Sequence, residues 1–123
     1  MPHILLIDDD ELFRSMIRVT LEEMGHTVSE ARNGQEGLVQ YEASPADLVL
    51  TDLIMPEKEG IETIVELRKK HPSVKIIAMS GGGRVTPENY LHIARRLGAG
   101  RVLSKPFPSE ELAVAINGLL SAQ

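Results

Sequence analysis

The sequence predicts an α/β fold in which five parallel strands form one doubly wound sheet with helices on both faces. Two observations carry this prediction. Along the 123 residues, short apolar runs of strand length alternate with amphipathic segments of helical spacing, a pattern typical of parallel strands joined by helical crossovers. Four of the runs end on a polar side chain, at the place where open α/β sheets bind their ligands.

The first half of the chain predicts three strands and two helices. Residues 3–8 form a continuous apolar run, as expected of a strand covered on both faces. A helix follows and stops at Gly25, a common residue just past a helix end. A second strand is predicted over residues 27–31, and a short helix over residues 35–42 begins after the Asn33-Gly34 turn. The residues that recur at helical spacing and form the stripe of the first helix are Leu12, Phe13, Met16, Ile17, Val19, Thr20, Leu21 and Met24.

The second half continues the alternation. Residues 48–52 form the third predicted strand, and the next helix stops at His71-Pro72 because proline disfavours a helical residue before it. The last helix opens on Ser109, Glu110 and Glu111, which we interpret as an acidic N-terminal cap. The remaining predictions are a strand over residues 74–79, a helix from about Pro87 to Leu97, a strand over residues 102–104 and a last helix from Ser109 to about Leu120.

Length and composition indicate a single domain without thiol chemistry. A chain of 123 residues is near the commonest domain size. The formal net charge of −5, with both signs interspersed, argues against a nucleic-acid surface built on bulk positive charge. There is no cysteine, which excludes disulfides and thiolate sites. Since no signal-peptide pattern or membrane-length apolar run is present, we expect a cytoplasmic domain over residues 1–123 with no output domain and no membrane contact.

Acidic side chains follow two of the predicted strands. Asp8 and Asp9 leave strand one, and Asp52 ends strand three, its neighbour in the common 2-1-3-4-5 strand order. Carboxylates so close repel one another unless a cation neutralises them. Mg²⁺ suits such a pocket because it uses few carboxylates and accepts phosphate oxygens as further ligands. For Asp8, Asp9 and Asp10 alone, capping of the next helix is the simpler interpretation. We expect it of Asp10, whereas the separate Asp52 favours a metal site for Asp8 and Asp9.

A hydroxyl and an ammonium follow two further strands. Ser80 closes strand four and Lys105 follows strand five. Phosphoryl transfer depends mainly on positioning and on neutralising charge, so these two groups suffice beside a nucleophile. Asp52 is the candidate nucleophile, because carboxylates form aspartyl-phosphate intermediates. Taken singly, Ser80 is more simply a turn residue and Lys105 a solvated surface lysine, and only their convergence supports the functional interpretation.

A series of short motifs runs through nearly the whole chain in a fixed order. They are Ile7-Asp8-Asp9-Asp10, Asp52-Leu53-Ile54-Met55-Pro56 with Gly60, Ser80, Leu97-Gly98-Ala99 and Lys105-Pro106-Phe107. In these motifs the chain resembles the receiver domains of two-component response regulators, which have a flavodoxin-like fold. The resemblance implies that Asp52 is a phosphoacceptor charged by a sensor histidine kinase or a histidine phosphotransfer protein.

The resemblance also assigns the other polar residues. Ser80 would be the hydroxyl that turns towards the phosphoryl group, and Lys105 would pair with a phosphoryl oxygen. The Lys105-Pro106 bond is expected to be cis, as in the family. The implied Mg²⁺ ligands are Asp9, Asp52, the backbone carbonyl of Ile54 and, directly or through water, Asp8.

Phosphorylation is expected to act as a switch. It would add a dianionic group, draw Ser80 and Lys105 inward and shift a pre-existing conformational equilibrium. The expected output surface comprises the helix over residues 87–97, strand five and the last helix. It would bind an unidentified downstream protein or form a phosphorylation-dependent dimer. The protein would catalyse only its own phosphorylation and dephosphorylation, and is not otherwise an enzyme.

Three features depart from the family pattern. Val102 stands where the family commonly has Tyr or Phe, so a rotating aromatic cannot be the relay. The segment joining strands four and five is longer than usual and contains residues 81–84. This segment is either a flexible loop or one that phosphorylation or a partner orders, with Arg84 as an anion contact. Ile54 and Gly82 occupy the two variable positions that in the family lie beside the phosphoryl group and influence dephosphorylation. Neither side chain can position an attacking water, which predicts a phosphoaspartate that is not unusually short-lived.

Other functional classes fit less well. An aspartate-nucleophile phosphatase or mutase needs a second acid at position 54, where the chain has Ile54. A nucleotide-binding module needs a glycine-rich loop after strand one, and the chain has no such motif. The main alternative is an interaction module with the receiver fold that works without phosphorylation. The intact set of strand-end polar residues argues against it, whereas Val102 is compatible with it.

Overall fold

The computed structural model describes residues 2–53, 59–80, 96 and 99–121. Within these ranges five parallel strands form one sheet in the order β2-β1-β3-β4-β5, as predicted. The strands are β1 His3–Ile7, β2 Thr27–Ala31, β3 Leu48–Asp52, β4 Ile76–Ser80 and β5 Arg101–Ser104. The helices of the described part are α1 Glu11–Glu23, α2 Gly34–Ala43, α3 Glu59–Lys70 and α4 Ser109–Leu120.

The sheet separates two hydrophobic clusters, as expected when both faces are covered. Alternate side chains of β1 enter opposite clusters, Ile4 and Leu6 on one face and Leu5 and Ile7 on the other. Helices α1 and α4 cover the first cluster, and α2 and α3 cover the second. Every residue of β3 and β4 is buried. The central strands therefore form a rigid support for the groups at their ends.

Parallel pairing brings the carboxyl ends of the strands to one edge of the sheet. Ile7 lies opposite Thr51, and Ser80 lies opposite Ser104. Helix α2 packs closely against this end of β1, since a Cβ atom added to Gly37 would collide with the Ile7 side chain. The residues that follow β1, β3, β4 and β5 therefore share one edge.

The helix caps differ in how well the sequence predicted them. Asp10 caps α1, as predicted, because its Oδ1 accepts a hydrogen bond of 3.0 Å from the Phe13 backbone N–H. The predicted cap of α4 is wrong for Ser109, whereas Glu110 and Glu111 lie in the first turn, as predicted. Pro108 occupies the cap position and makes no side-chain hydrogen bond there, and Ser109 is the first helical residue.

The apolar stripe of α1 is narrower than predicted. Ile17 and Leu21 are buried against the sheet. Leu12, Met16 and Val19 are exposed, with 59% of Met16 accessible. They lie on the part of the helix that is turned away from the sheet, so their helical spacing did not indicate burial.

Other differences concern element bounds and the undescribed segments. Strand β4 begins at Ile76, because Val74 still belongs to a turn in which its N–H donates to the His71 carbonyl at 2.9 Å. The helix predicted from Pro87 to Leu97 lies outside the described residues except for Arg96. Within the described ranges, no helix combines the length and apolar character needed to cross a membrane.

Candidate functional site

Two buried carboxylates stand at the carboxyl ends of adjacent strands. Asp8 follows β1 and is 0% exposed, and Asp52 is the last residue of β3 and is 5% exposed. The Oδ1 atom of Asp8 accepts a hydrogen bond of 2.9 Å from the Asp10 backbone N–H. The Asp8 N–H in turn donates to the carbonyl of Ala31 at 3.1 Å. The backbone thus fixes the Asp8 carboxylate at the sheet edge.

The Lys105 ammonium lies between these two carboxylates. Its Nζ donates to Asp8 Oδ2 at 2.7 Å and to Asp52 Oδ2 at 3.2 Å. Burial alone would lower the pKa of Lys105, but the hydrogen bond to Asp8 and the negative charge of Asp52 outweigh it and raise the pKa. The lysine is therefore charged and shared by two acids, and the Lys105-Pro106 peptide bond after it is cis, as predicted.

The donor set of this pocket fits a hard divalent cation. One carboxylate oxygen from each of Asp8, Asp9 and Asp52 lies within 4.8 Å of the other two. All three donors are oxygens, the ligand type that Mg²⁺ prefers. Asp9 is exposed at the rim, so the group remains open to water on one side. The predicted ligand Ile54 lies outside the described residues.

Ser80 brings a hydroxyl to the same edge. It is the last residue of β4 and is fully buried, and its carbonyl accepts a hydrogen bond of 2.8 Å from the Lys105 N–H. Within the described part of the chain its Oγ has no hydrogen-bond partner. A buried hydroxyl in this state has an unused donor and acceptor.

Sequence reasoning missed two residues of α1 that support this pocket. Arg14 donates from Nη1 to the Asp8 carbonyl at 2.7 Å and from Nε to Glu30 Oε1 at 2.8 Å. The Phe13 ring lies under the Lys105 ammonium, with Nζ 4.2 Å from the ring centroid. The only sequence signal was their position one turn after the acidic triplet, which does not specify a contact.

Comparison with known proteins identifies the family. Residues 4–117 match the response regulator receiver domain family. The chain belongs to this family. It is thus a receiver domain of the two-component type, a class of signalling phosphoacceptors that generally bind Mg²⁺ in an acidic pocket and interact with sensor kinases or phosphotransfer proteins.

Several related proteins match this receiver domain over most of its length. It is 34% identical to the chemotaxis protein CheY of Halobacterium salinarum, over 97% of both chains. The transcriptional regulatory protein CpxR of Klebsiella pneumoniae is 35% identical, and the match covers 98% of this chain but only 50% of CpxR. A receiver domain from Clostridium thermocellum superposes with a TM-score of 0.87 at 31% identity, covering 98% of this chain and 94% of that structure.

The predicted residues of this receiver domain fall into three groups. Asp8, Asp9, Asp52, Ser80 and Lys105 lie at one edge of the sheet, as the strand pattern predicted. Ile54, Gly82 and Arg84 lie outside the described residues. Val102 lies in β5, where it is half-buried and packs on the cluster covered by α2 and α3.

Proposed function

We propose that this receiver accepts a phosphoryl group on Asp52 from the phosphohistidine of a sensor histidine kinase or histidine phosphotransfer protein. The observation that carries the proposal is the ion triad in which Lys105 bridges Asp8 and Asp52. In this triad the Asp52 carboxylate lies next to a fixed cation at the end of a buried strand. Such an arrangement suits phosphoryl transfer, which depends on positioning and charge neutralisation.

The transfer step uses a carboxylate oxygen of Asp52 as the nucleophile. That oxygen forms a bond to phosphorus while the phosphorus–nitrogen bond of the partner's phosphohistidine breaks. The imidazole leaves with the electron pair and takes up a proton. Lys105 exchanges its contact with Asp52 for a phosphoryl oxygen while it keeps its shorter contact with Asp8.

Two further elements of the pocket support the transferred group. Bound Mg²⁺, held by Asp8, Asp9, Asp52 and the backbone carbonyl of Ile54, would neutralise charge on the phosphoryl oxygens. The Ser80 hydroxyl, which is buried and unpartnered among the described residues, would turn to donate a hydrogen bond to the phosphoryl group. Attack of water on the phosphorus would break its bond to the Asp52 oxygen, release inorganic phosphate and the free carboxylate, and so reset the switch.

The output would be a changed protein-binding surface. The phosphoryl group adds close to two negative charges at an edge that β4 and β5 share with Asp52. We infer that the surface formed by the segment over residues 87–97, β5 and α4 responds and binds a downstream protein or a second copy of the chain. A receiver-fold module that works without phosphorylation remains the competing function.

The experiment measures intact mass after incubation with phosphoramidate, a small donor with a phosphorus–nitrogen bond. Wild type with Mg²⁺ is expected to gain one phosphoryl group, and the gain should disappear in Asp52→Asn or with a chelator. Asp47→Asn is the matched control, because Asp47 accepts a hydrogen bond from the His3 N–H at the opposite end of the sheet. No adduct on wild type, or an equal adduct on Asp52→Asn, would favour the phosphorylation-independent module.

A further inference from the structure

The Lys105 ammonium has a third neighbour besides its two carboxylates. The Phe13 ring of α1 presents its face to Nζ at 4.2 Å from the ring centroid. This distance lies within the range in which the ring quadrupole attracts a cation. Because the Lys105 side chain is only 16% exposed, the contact is partly desolvated, which strengthens it.

The ring itself is held from two sides. The backbone N–H of Phe13 donates to the capping carboxylate of Asp10 at 3.0 Å, which fixes the first turn of α1. The ring packs edge to face on Phe107, with centroids 6.0 Å apart and planes at 86°. Both aromatic side chains pack on the cluster covered by α1 and α4. Phe13 is therefore a fixed surface and not a mobile cover.

We propose that Phe13 is a positioning residue that holds the Lys105 ammonium in the phosphoacceptor pocket. The inference deepens the proposed function and rests on it. A lysine side chain has four rotatable bonds and loses considerable conformational entropy when it is confined. The ring face covers part of the ammonium that the two carboxylates do not contact, and it replaces water that would otherwise solvate that part.

An aromatic face suits a cation that must change partners. A carboxylate in the position of Phe13 would compete with the phosphoryl oxygens for Lys105. The ring face attracts the ammonium without fixed lone-pair directions, so the ammonium can turn from Asp52 to a phosphoryl oxygen and keep its contact with Phe13. A leucine would provide apolar cover but no quadrupole.

The first test is spectroscopic and needs neither Mg²⁺ nor phosphorylation. An ammonium and ε-methylene over a ring face experience an upfield ring-current shift in NMR spectra. We expect one lysine signal of the wild type to be shifted in this way and to disappear in Lys105→Arg, which assigns it. The shift should vanish in Phe13→Leu and persist in Phe13→Tyr, whereas the exposed neighbour variant Leu12→Ala should leave it unchanged.

The second test measures the rate of phosphorylation by phosphoramidate at fixed Mg²⁺. We expect Phe13→Leu to be slower than wild type by about fivefold, the factor that a contact of this strength supplies. Phe13→Tyr should restore most of the rate, and Leu12→Ala should match the wild type. Thermal unfolding of all variants identifies any that fail to fold, and the ring-current shift of the wild type tests the contact without any variant at position 13.

The outcomes separate this inference from the proposed function. An unshifted Lys105 signal in the wild type, a Phe13→Leu rate equal to wild type, or a Phe13→Tyr rate as slow as Phe13→Leu would overturn the role of Phe13. Wild type that takes up no phosphoryl group, with the ring-current shift present, would instead overturn the proposed function and leave the contact established.

Discussion

At the scale of single residues, the pocket pairs buried charged groups whose burial would be unfavourable if they were unpaired. Asp8 and Asp52 are both buried, and two neighbouring carboxylates without a cation would drive one of them to take up a proton. The Lys105 ammonium removes this conflict by pairing with both. A metal ion would compete with Lys105 for the carboxylate oxygens, and a phosphoryl group would compete with the carboxylates for Lys105, so both kinds of ligand can replace a contact of this triad.

Removal of this cation should therefore destabilise the protein in a way that Mg²⁺ can reverse. We expect Lys105→Met to lower the free energy of unfolding at pH 7 by about 1–3 kcal/mol, the cost of a buried charged partner left unsatisfied. Urea unfolding with and without Mg²⁺ measures it, and Mg²⁺ should stabilise Lys105→Met more than wild type.

Lys70→Met is the matched control for this prediction. Lys70 lies on α3 in an exposed ion pair with Glu66 at 3.5 Å, which contributes about 0.5 kcal/mol or less.

The stabilisation by Lys105 should also depend on pH. Since the pKa of Lys105 is raised, its contribution to the free energy of unfolding is fully present below its ordinary pKa and is lost as pH rises through the raised value. Equal losses for the two variants, or a loss that persists at strongly alkaline pH, would contradict the prediction.

The sequence predicted the charged residues of the pocket but not the residue that confines the lysine. Asp8, Asp52, Ser80 and Lys105 each follow an apolar run, and parallel pairing alone places such positions at one edge. The contact between Phe13 and Lys105 depends on how α1 packs against the segment after β5. Tertiary packing sets that arrangement, and the helical spacing of α1 contains no information about it.

At the scale of elements, an ion-pair network joins α1 to β2 and to the end of β1. Glu30 of β2 accepts from Arg14 Nε at 2.8 Å and from Arg18 Nη1 at 2.6 Å. Arg14 also donates to the Asp8 carbonyl at 2.7 Å. One carboxylate thus orients two arginines, and one of them fixes the backbone at the acidic pocket.

Replacement of Glu30 should lower the free energy of unfolding by an amount that depends on pH. The hydrogen bond from Arg18 is the main cause that holds the pKa of Glu30 below its ordinary value of 4.5. A lowered pKa contributes stability that is present above the ordinary value and is lost as pH falls through the lowered one. We expect Glu30→Gln to lower the free energy of unfolding by about 1 kcal/mol at pH 7, and the difference from wild type to vanish as the pH falls well below 4.5.

Glu22→Gln provides the comparison for Glu30→Gln. Among the described residues, the Glu22 carboxylate pairs only with Arg18 on the same helix, at 3.2 Å, and about half of its side chain is exposed. Urea unfolding from acidic to neutral pH should show a smaller loss in the free energy of unfolding for Glu22→Gln than for Glu30→Gln. A Glu30→Gln effect that is independent of pH would indicate lost packing and not lost charge.

Element type was predictable because the hydrophobic period switches between strand and helix along the chain. The strand bounds of β2 and β3 agree residue by residue with those predicted, since turn residues delimit both. Ser109 was wrongly predicted as the cap of α4 because a hydroxyl followed by acids also suits the first helical turn. Pro108, whose ring fixes its φ angle, occupies the cap position in an extended conformation. Such competing local signals cannot be resolved without the helix axis.

At the scale of the whole molecule, Asp52, the proposed phosphoacceptor, stands at the end of a strand that is buried along its whole length. All residues of β3 and β4 are buried between the two clusters, and close-packed interiors change shape little. We therefore expect the sheet to stay in place when Asp52 is phosphorylated. The response would occur in the segments that follow the strands, and the time for which it lasts would depend on hydrolysis of the phosphoaspartate.

We expect the phosphoaspartate at Asp52 to hydrolyse slowly. Asp52 is 5% exposed, which restricts the approach of water. Ile54 and Gly82 lie outside the described residues. Neither has a side chain that could orient an attacking water by hydrogen bonding. After removal of the donor, intact mass followed over time should show wild-type phosphoprotein persisting for minutes or longer. Ile54→Asn supplies an amide that can hold a water and should shorten the lifetime severalfold, while Val65→Asn on the exposed surface of α3 should not. Loss of the wild-type adduct within seconds, or an Ile54→Asn lifetime equal to wild type, would show that other groups control hydrolysis.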